Sequence, residues 1–255
     1  MEQSIEIFFC YAREDEPLRQ ELEKQLRALR RQGIINLWHD RDISAGEEWQ
    51  RAIDKHLNSA NIILLLVSPD FIDSDYCYGI EMKRAMERHE REDARVIPII
   101  LRPVYWQKAP FGRLQALPTD AVPVTSPVWH TQDEAFFNVA EGIRLAVEEI
   151  LAKGQVKQWY EKGLQLQEQK HYEDALVAFN QMLRFDPNNV EAYVNNGNVL
   201  IALKRYEDAL AAFNQALRLD PNNAHLYINK GDTLIALKRY EDALVAYNIS
   251  INPCF

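Results

Sequence analysis

Four clusters of polar and aromatic residues follow four short apolar runs in the first half of the chain. Tyr11, Ala12 and Arg13 follow Ile5 to Cys10, and His39, Asp40, Arg41 and Asp42 follow Ile35 to Trp38. Ser68 and, slightly later, Tyr76, Cys77 and Glu81 follow Ile62 to Val67, while Arg102, Tyr105 and Trp106 follow Val96 to Leu101. Aromatic faces, a few cations and several carboxylates suit a nucleoside-containing ligand, held by stacking and by hydrogen bonds to its ribose. Other chemistries lack their residues. No GxxxxGK[ST] or GxGxxG segment is present to cradle phosphates. A phosphoryl receiver needs an aspartate at the end of the third run, where Ser68-Pro69 stands. The six histidines show no HExxH or Cys/His spacing, so no built-in metal is expected.

These clusters need a frame to hold them. Glu14 to Gln32 is amphipathic, opens with Glu14-Asp15-Glu16 and closes with Arg27, Arg30 and Arg31, the charge order a helix dipole favours. Further helices are expected over Glu48 to Asn58, Ser74 to Glu90 and Glu134 to Leu151, with a polar loop from His39 to Glu47. A short last strand is expected at Ala121 to Val124. Alternating helices and apolar strands imply a parallel sheet of five strands, covered on both faces. Such a sheet binds ligands outside the carboxyl ends of its strands, where all four clusters fall.

Composition agrees with a folded protein of one or two domains: 255 residues, 47% of them apolar. With 29 basic and 38 acidic residues the net charge is -9, and no basic block is present. Nucleic acid is therefore not an expected partner. The longest apolar run, Ile62 to Val67, is far short of the ~18 residues a spanning helix needs, so no membrane span is expected. Met1-Glu2-Gln3-Ser4 lacks a secretion signal. Three cysteines (Cys10, Cys77, Cys254), an odd number without a CxxC, point to a reducing cytoplasm.

From residue 159 the sequence repeats. Gly163, Gly197 and Gly231 are 34 residues apart, as are Tyr172, Tyr206 and Tyr240, and Ala175, Ala209 and Ala243. Asp186-Pro187-Asn188-Asn189 recurs as Asp220-Pro221-Asn222-Asn223. This period and these residues resemble the tetratricopeptide repeat (TPR), an all-α helical-hairpin solenoid. Each unit reads as two helices, such as Tyr193 to Leu203 and Tyr206 to Leu219, with Gly197 and Ala209 allowing close approach. The units are 159–192, 193–226 and an incomplete 227–255, whose end (Ile251, Pro253, Cys254, Phe255) suits either contact with another molecule or a shortened array. Residues 1–152 form the first domain and 153–158 the expected joint.

Three segments of the first domain resemble, in order, the three boxes of a bacterial TIR domain. They are Ile7 to Asp15, Trp38 to Gly46, and Ser68-Pro69-Asp70-Phe71 with Ser74 to Met82. The resemblance implies a flavodoxin-like α/β fold with a five-stranded parallel sheet. Many members cleave NAD+ at the nicotinamide–ribose bond, with a catalytic glutamate a few residues beyond a Trp-Cys or Tyr-Cys pair; here that position is Glu81. Breaking that bond builds positive charge on the ribose, which a nearby carboxylate can stabilise. Nicotinamide leaves without needing a second acid, because NAD+ already carries it as a cation. Cys77 and Glu81, four apart, share a helical face, and Tyr76 lies near the helix start.

The resemblance implies substrate contacts at Tyr11, Arg13, Trp38, Asp40, Asp42, Tyr76, Cys77 and Trp106. Each has a plainer reading: Cys77 as a buried hydrophobe, Trp38, Trp49 and Trp106 as packing residues, Arg13 in a solvated ion pair, Asp40 and Asp42 as turn formers. Ala12 departs from the serine many members carry, and the acidic position of the second box falls on either His39 or Asp40. The whole reads as an NAD+ glycohydrolase, with NAD+ as substrate and no cofactor, releasing nicotinamide and ADP-ribose or its cyclic form. It would be activated by self-association in antiviral or stress defence. Asn195, Asn198, Asn229 and Asp232 would face a protein or peptide partner in the repeat groove. The alternatives are a non-catalytic interaction scaffold and an enzyme acting on another nucleotide.

Overall fold

The computed structural model describes residues 4–43, 46 and 48–251. Ser44, Ala45 and Glu47 of the expected loop, and Pro253, Cys254 and Phe255, lie outside these residues. The chain divides into two units, Met1–Glu148 and Glu149–Phe255.

In the first unit, β1 (Ile5–Tyr11), β2 (Ile35–Trp38), β3 (Ile62–Val67) and β4 (Arg95–Ile100) form one sheet in the order β2-β1-β3-β4. Every pairing is parallel. All six residues of β3 are buried, as its unbroken apolar run requires of a central strand. Because β2 and β3 lie on opposite sides of β1, the order reverses between the ends of β1 and β3. Sheets of this kind bind their ligands at that point.

The described residues contain four strands, not five. Where the last was expected, Thr119–Ala121 forms a 3-10 turn with Asp120 and Ala121 in left-handed conformations (φ 58° and 53°). Pro118 and Pro123 also lack the N–H that a ladder needs. The segment still covers the edge of β4: Val124 N–H donates to the Ile100 carbonyl at 2.9 Å, and Leu117 N–H to that of Pro98 at 2.8 Å.

The helices are α1 (Glu16–Arg31), α2 (Trp49–Ser59), α3 (Pro69–Asp73), α4 (Met82–Glu90) and α5 (Gln132–Glu168). The first expected helix starts two residues late, because Arg13–Asp15 forms a 3-10 turn and Pro17 falls in the opening turn of α1. The helix expected from Ser74 is replaced by a π-helical turn, Cys77–Glu81, leading into α4. Residues 153–158, the expected joint, lie within α5. Their one helix-weakening residue, Gly154, costs only about 1 kcal/mol.

In the second unit α6 (Tyr172–Phe185), α7 (Val190–Ala202), α8 (Tyr206–Leu219), α9 (Ala224–Ala236) and α10 (Tyr240–Ile251) follow the repeat period. The glycines mark helix crossings. A Cβ on Gly163, Gly197 or Gly231 would come within 2.5, 2.5 and 2.6 Å of the rings of Phe179, Phe213 and Tyr247. Asn189 and Asn223 cap α7 and α9 through their side-chain oxygens. No described helix is long and apolar enough to cross a membrane.

Candidate active site at the carboxyl end of the sheet

The candidate site is built from the end of β1, the loop after β2 and the π-helical turn after α3. A π turn carries one residue more than an α turn, and here Glu81 N–H bonds the Tyr76 carbonyl five residues back, at 3.1 Å. Ser74 starts the segment by accepting from Cys77 N–H at 3.2 Å. Glu81 is consequently turned inward and only 5% exposed, although Lys83 and Arg84 follow it. The thiol of Cys10 on β1 donates to Glu81 Oε2 at 2.9 Å.

Burial pushes the Glu81 carboxyl up to about 8, against the pull of the Cys10 hydrogen bond and with repulsion from Cys77 and Asp40 adding to it. Cys77 lies on the same side of the turn, as its spacing implies, and its thiol donates to the Tyr11 carbonyl at 3.2 Å. The Cys10 thiol beside it brings Cys77 down to about 7. Cys10, wholly buried, is pushed up.

Of the residues expected here, the structure gathers Tyr11, Asp40, Tyr76 and Cys77 around Glu81. Tyr11 donates its hydroxyl to Asp40 Oδ1 at 2.7 Å, and burial and Asp40 raise its pKa. The charge of Glu81 reaches Tyr76, whose pKa is also raised, first by burial. Asp42 turns to its own loop, where its carboxylate accepts from His39 N–H at 3.1 Å. Arg13 is exposed and has no ion-pair partner among the described residues.

Two tryptophans pack. Trp38 is stacked between Phe8 and His56, with ring centroids 5.2 and 4.4 Å away. Trp106 is 9% exposed and parallel to Phe111 in the core. Trp49, read as a packing residue, is instead 46% exposed and leans on the Tyr76 ring at 4.7 Å.

Sequence reasoning missed two features. Cys10 was legible only as an apolar strand residue; its place at the carboxyl end of a central strand was the available signal. The second is Asp15, buried and raised by that burial, which accepts from Ser68 and, at 3.0 Å, from Arg102 Nε. Arg102 also pairs with Asp70. This network ties together the ends of β1, β3 and β4.

In the repeats, Asn195 donates to its own helix at the Glu191 carbonyl (2.9 Å) and Asn198 is exposed. The Asn229 carbonyl accepts from Thr233. Asp232 accepts from the Tyr247 hydroxyl at 2.5 Å, which pushes that tyrosine up to about 12.

Comparison with known proteins matches this division. Residues 7–124 match the TIR domain family. Residues 166–214, 197–237 and 224–251 match tetratricopeptide repeat families. An uncharacterized protein, y4lF of Sinorhizobium fredii, is 59% identical over 140 residues, which is 55% of this chain and 43% of that protein. The chain thus spans less than half the length of this curated relative. Among solved structures, the TPR2B domain of yeast Sti1 in complex with pHsp70 is 26% identical, covering 38% of this chain and 77% of that one, with a TM-score of 0.37. The Arabidopsis OM64 TPR domain is 19% identical, covering 40% and 86%, with a TM-score of 0.38. The chain is a TIR domain followed by tetratricopeptide repeats.

Proposed function

We propose that the TIR domain is an NAD+ glycohydrolase with Glu81 as its catalytic carboxylate, in a TIR-based signalling or defence protein. The observation that carries this reading is the inward-facing Glu81, buried at the carboxyl end of the sheet with one thiol donor and no cation beside it among the described residues. A carboxyl pushed up to about 8 is mostly protonated at neutral pH before NAD+ arrives. The cationic nicotinamide riboside end of NAD+ supplies the missing positive charge, so binding favours the ionised form and releases a proton. The C1′–N1 bond then breaks, with its electron pair leaving on nicotinamide. The positive charge on the ribose is stabilised by Glu81 in a setting where water screens little. Water adds at C1′ and loses a proton to give ADP-ribose; attack by a nitrogen of the adenine ring instead gives the cyclic form.

Tyr11 and Asp40 would meet the ribose hydroxyls, and Tyr76 the ring that departs. Assembly of TIR domains would rearrange the loop after β2 and complete the site between neighbours. The repeats, through Asn195, Asn198, Asn229 and Asp232, would recruit a protein or peptide that triggers this assembly. The test is nicotinamide release from NAD+ by protein clustered on a support, beside Glu81→Gln. Turnover by the wild type and its loss of at least about a hundredfold in the variant is the expected result. Equal turnover overturns the role of Glu81. Self-association without turnover would instead support a scaffold.

A further inference from the structure

Two free cysteines meet at the carboxylate just described. Cys10 comes from β1 and Cys77 from the π-helical turn, 67 residues apart, and both are buried. Their contacts cross: the Cys10 sulfur lies 3.7 Å from the Cys77 carbonyl oxygen, and the Cys77 sulfur lies 3.2 Å from the carbonyl oxygen of Tyr11, next to Cys10. Cys10 is wholly enclosed, whereas Cys77 retains 8% exposure. The same Cys10 thiol is the donor to Glu81.

We propose that Cys10 and Cys77 form a thiol modification site, where a hydroperoxide reaching the exposed edge of Cys77 closes a disulfide and withdraws the Glu81 donor. The proposal rests on Glu81 being the working carboxylate. The chemistry balances. The Cys77 thiolate attacks one peroxide oxygen, the O–O bond breaks, and the leaving oxygen takes a proton to become water or an alcohol. The sulfenic acid formed on Cys77 is then attacked by the Cys10 sulfur. An S–S bond forms, the S–O bond breaks, and the oxygen departs as water with the Cys10 proton. Two thiols are oxidised and one peroxide is reduced. A thiolate is the attacking species, and Cys77, brought down to about 7, supplies it near neutral pH.

The groups acting on Glu81 are Cys10 from β1, Cys77 and Tyr76 from its own segment, and Asp40 from the loop after β2. The disulfide removes the Cys10 donor, which favours the ionised form, together with the lesser repulsion of the Cys77 thiolate. The remaining burial and the Asp40 charge then keep Glu81 protonated to higher pH. Each further pKa unit cuts the ionised fraction at neutral pH about tenfold.

The test uses the full chain carrying Cys254→Ser, so that the third thiol does not interfere. Hydrogen peroxide is added and later removed with catalase, then dithiothreitol restores the thiols. A mass loss of two hydrogens, a linked Cys10–Cys77 peptide, and a drop in nicotinamide release of about tenfold or more that dithiothreitol reverses are expected. Cys10→Ser and Cys77→Ser, each compared only with itself before and after peroxide, should lose the response. The Glu81 titration midpoint, followed by carbon NMR of its carboxyl, should rise on oxidation. This readout does not require turnover, so an inactive reduced protein would sink the glycohydrolase reading while the site stayed under test. Absence of the linked peptide, or its formation with both the rate and the midpoint unchanged, overturns the proposal.

Discussion

The Tyr11 hydroxyl, at the last residue of β1, donates to the Asp40 carboxylate at 2.7 Å and so fastens the loop after β2 to the centre of the sheet. Its raised pKa keeps this tyrosine a donor at any ordinary pH. Tyr11→Phe should destabilise the first unit by about 1.5 kcal/mol or more, the worth of one hydrogen bond to a charged group. Urea unfolding measures that change. On the proposed function, nicotinamide release should fall more steeply than stability, and an unaltered rate would remove Tyr11 from the site.

Glu81 sets a pH dependence of folding whose sign follows from its shift. Its carboxyl titrates near the model-peptide value of 4.5 when unfolded and at about 8 when folded. Between those values the folded state binds more protons, so this group makes the protein less stable as pH rises through the window. Glu81→Gln removes the effect. The variant should match the wild type near pH 4.5 and exceed it by on the order of 1 kcal/mol or more at pH 8. Thermal unfolding of both proteins across that range checks this, and a pH-independent difference would mean that Glu81 is solvated.

Gly197 shows why the repeat keeps a bare position. Alanine would gain about 1 kcal/mol in helix propensity, but its Cβ would meet the Phe213 ring at 2.5 Å. Overpacking of this kind costs ~1–3 kcal/mol. Gly197→Ala should therefore lower the melting temperature of the repeats, and adding Phe213→Leu should restore part of the loss.

Lys204 sits at φ 60°, a left-handed conformation, in the turn between α7 and α8. Arg205 N–H closes that turn on the Leu200 carbonyl at 2.8 Å. Glycine relieves ~1–2 kcal/mol of backbone strain there but frees the unfolded chain. Lys204→Gly should be stabilising by a few tenths to about 1 kcal/mol in chemical denaturation, and Lys204→Val destabilising.

How much of this was readable beforehand varies with the range of the interaction. The repeats were legible because their period is written directly in the sequence, and Tyr206–Leu219 folds as a helix with the bounds its pattern implies. β3 was legible because six apolar residues in a row have few other fates. The fifth strand was misread: an apolar pattern at Ala121 to Val124 said nothing of the left-handed Asp120 or of Pro118 and Pro123 at its borders. The sequence around Glu81 did not separate an inward carboxylate from a surface one beside Lys83 and Arg84, since its burial depends on a π turn and on a strand 71 residues away. Trp38 and Trp49 both suited packing, yet one is half-buried against Phe8 and His56 while the other is 46% exposed beside Tyr76. Only the three-dimensional neighbours of the two side chains separate them.

The widened turn at Cys77–Glu81 makes the whole site sensitive to length as well as to composition. Removing one exposed residue from it, such as Gly79, would let the backbone rewind as ordinary α-helix. Cys77 and Glu81, then three apart, would still share a helical face, but the extra residue that turns Glu81 toward Cys10 would be gone. A single lost codon there would part the acid from its thiol donor on β1.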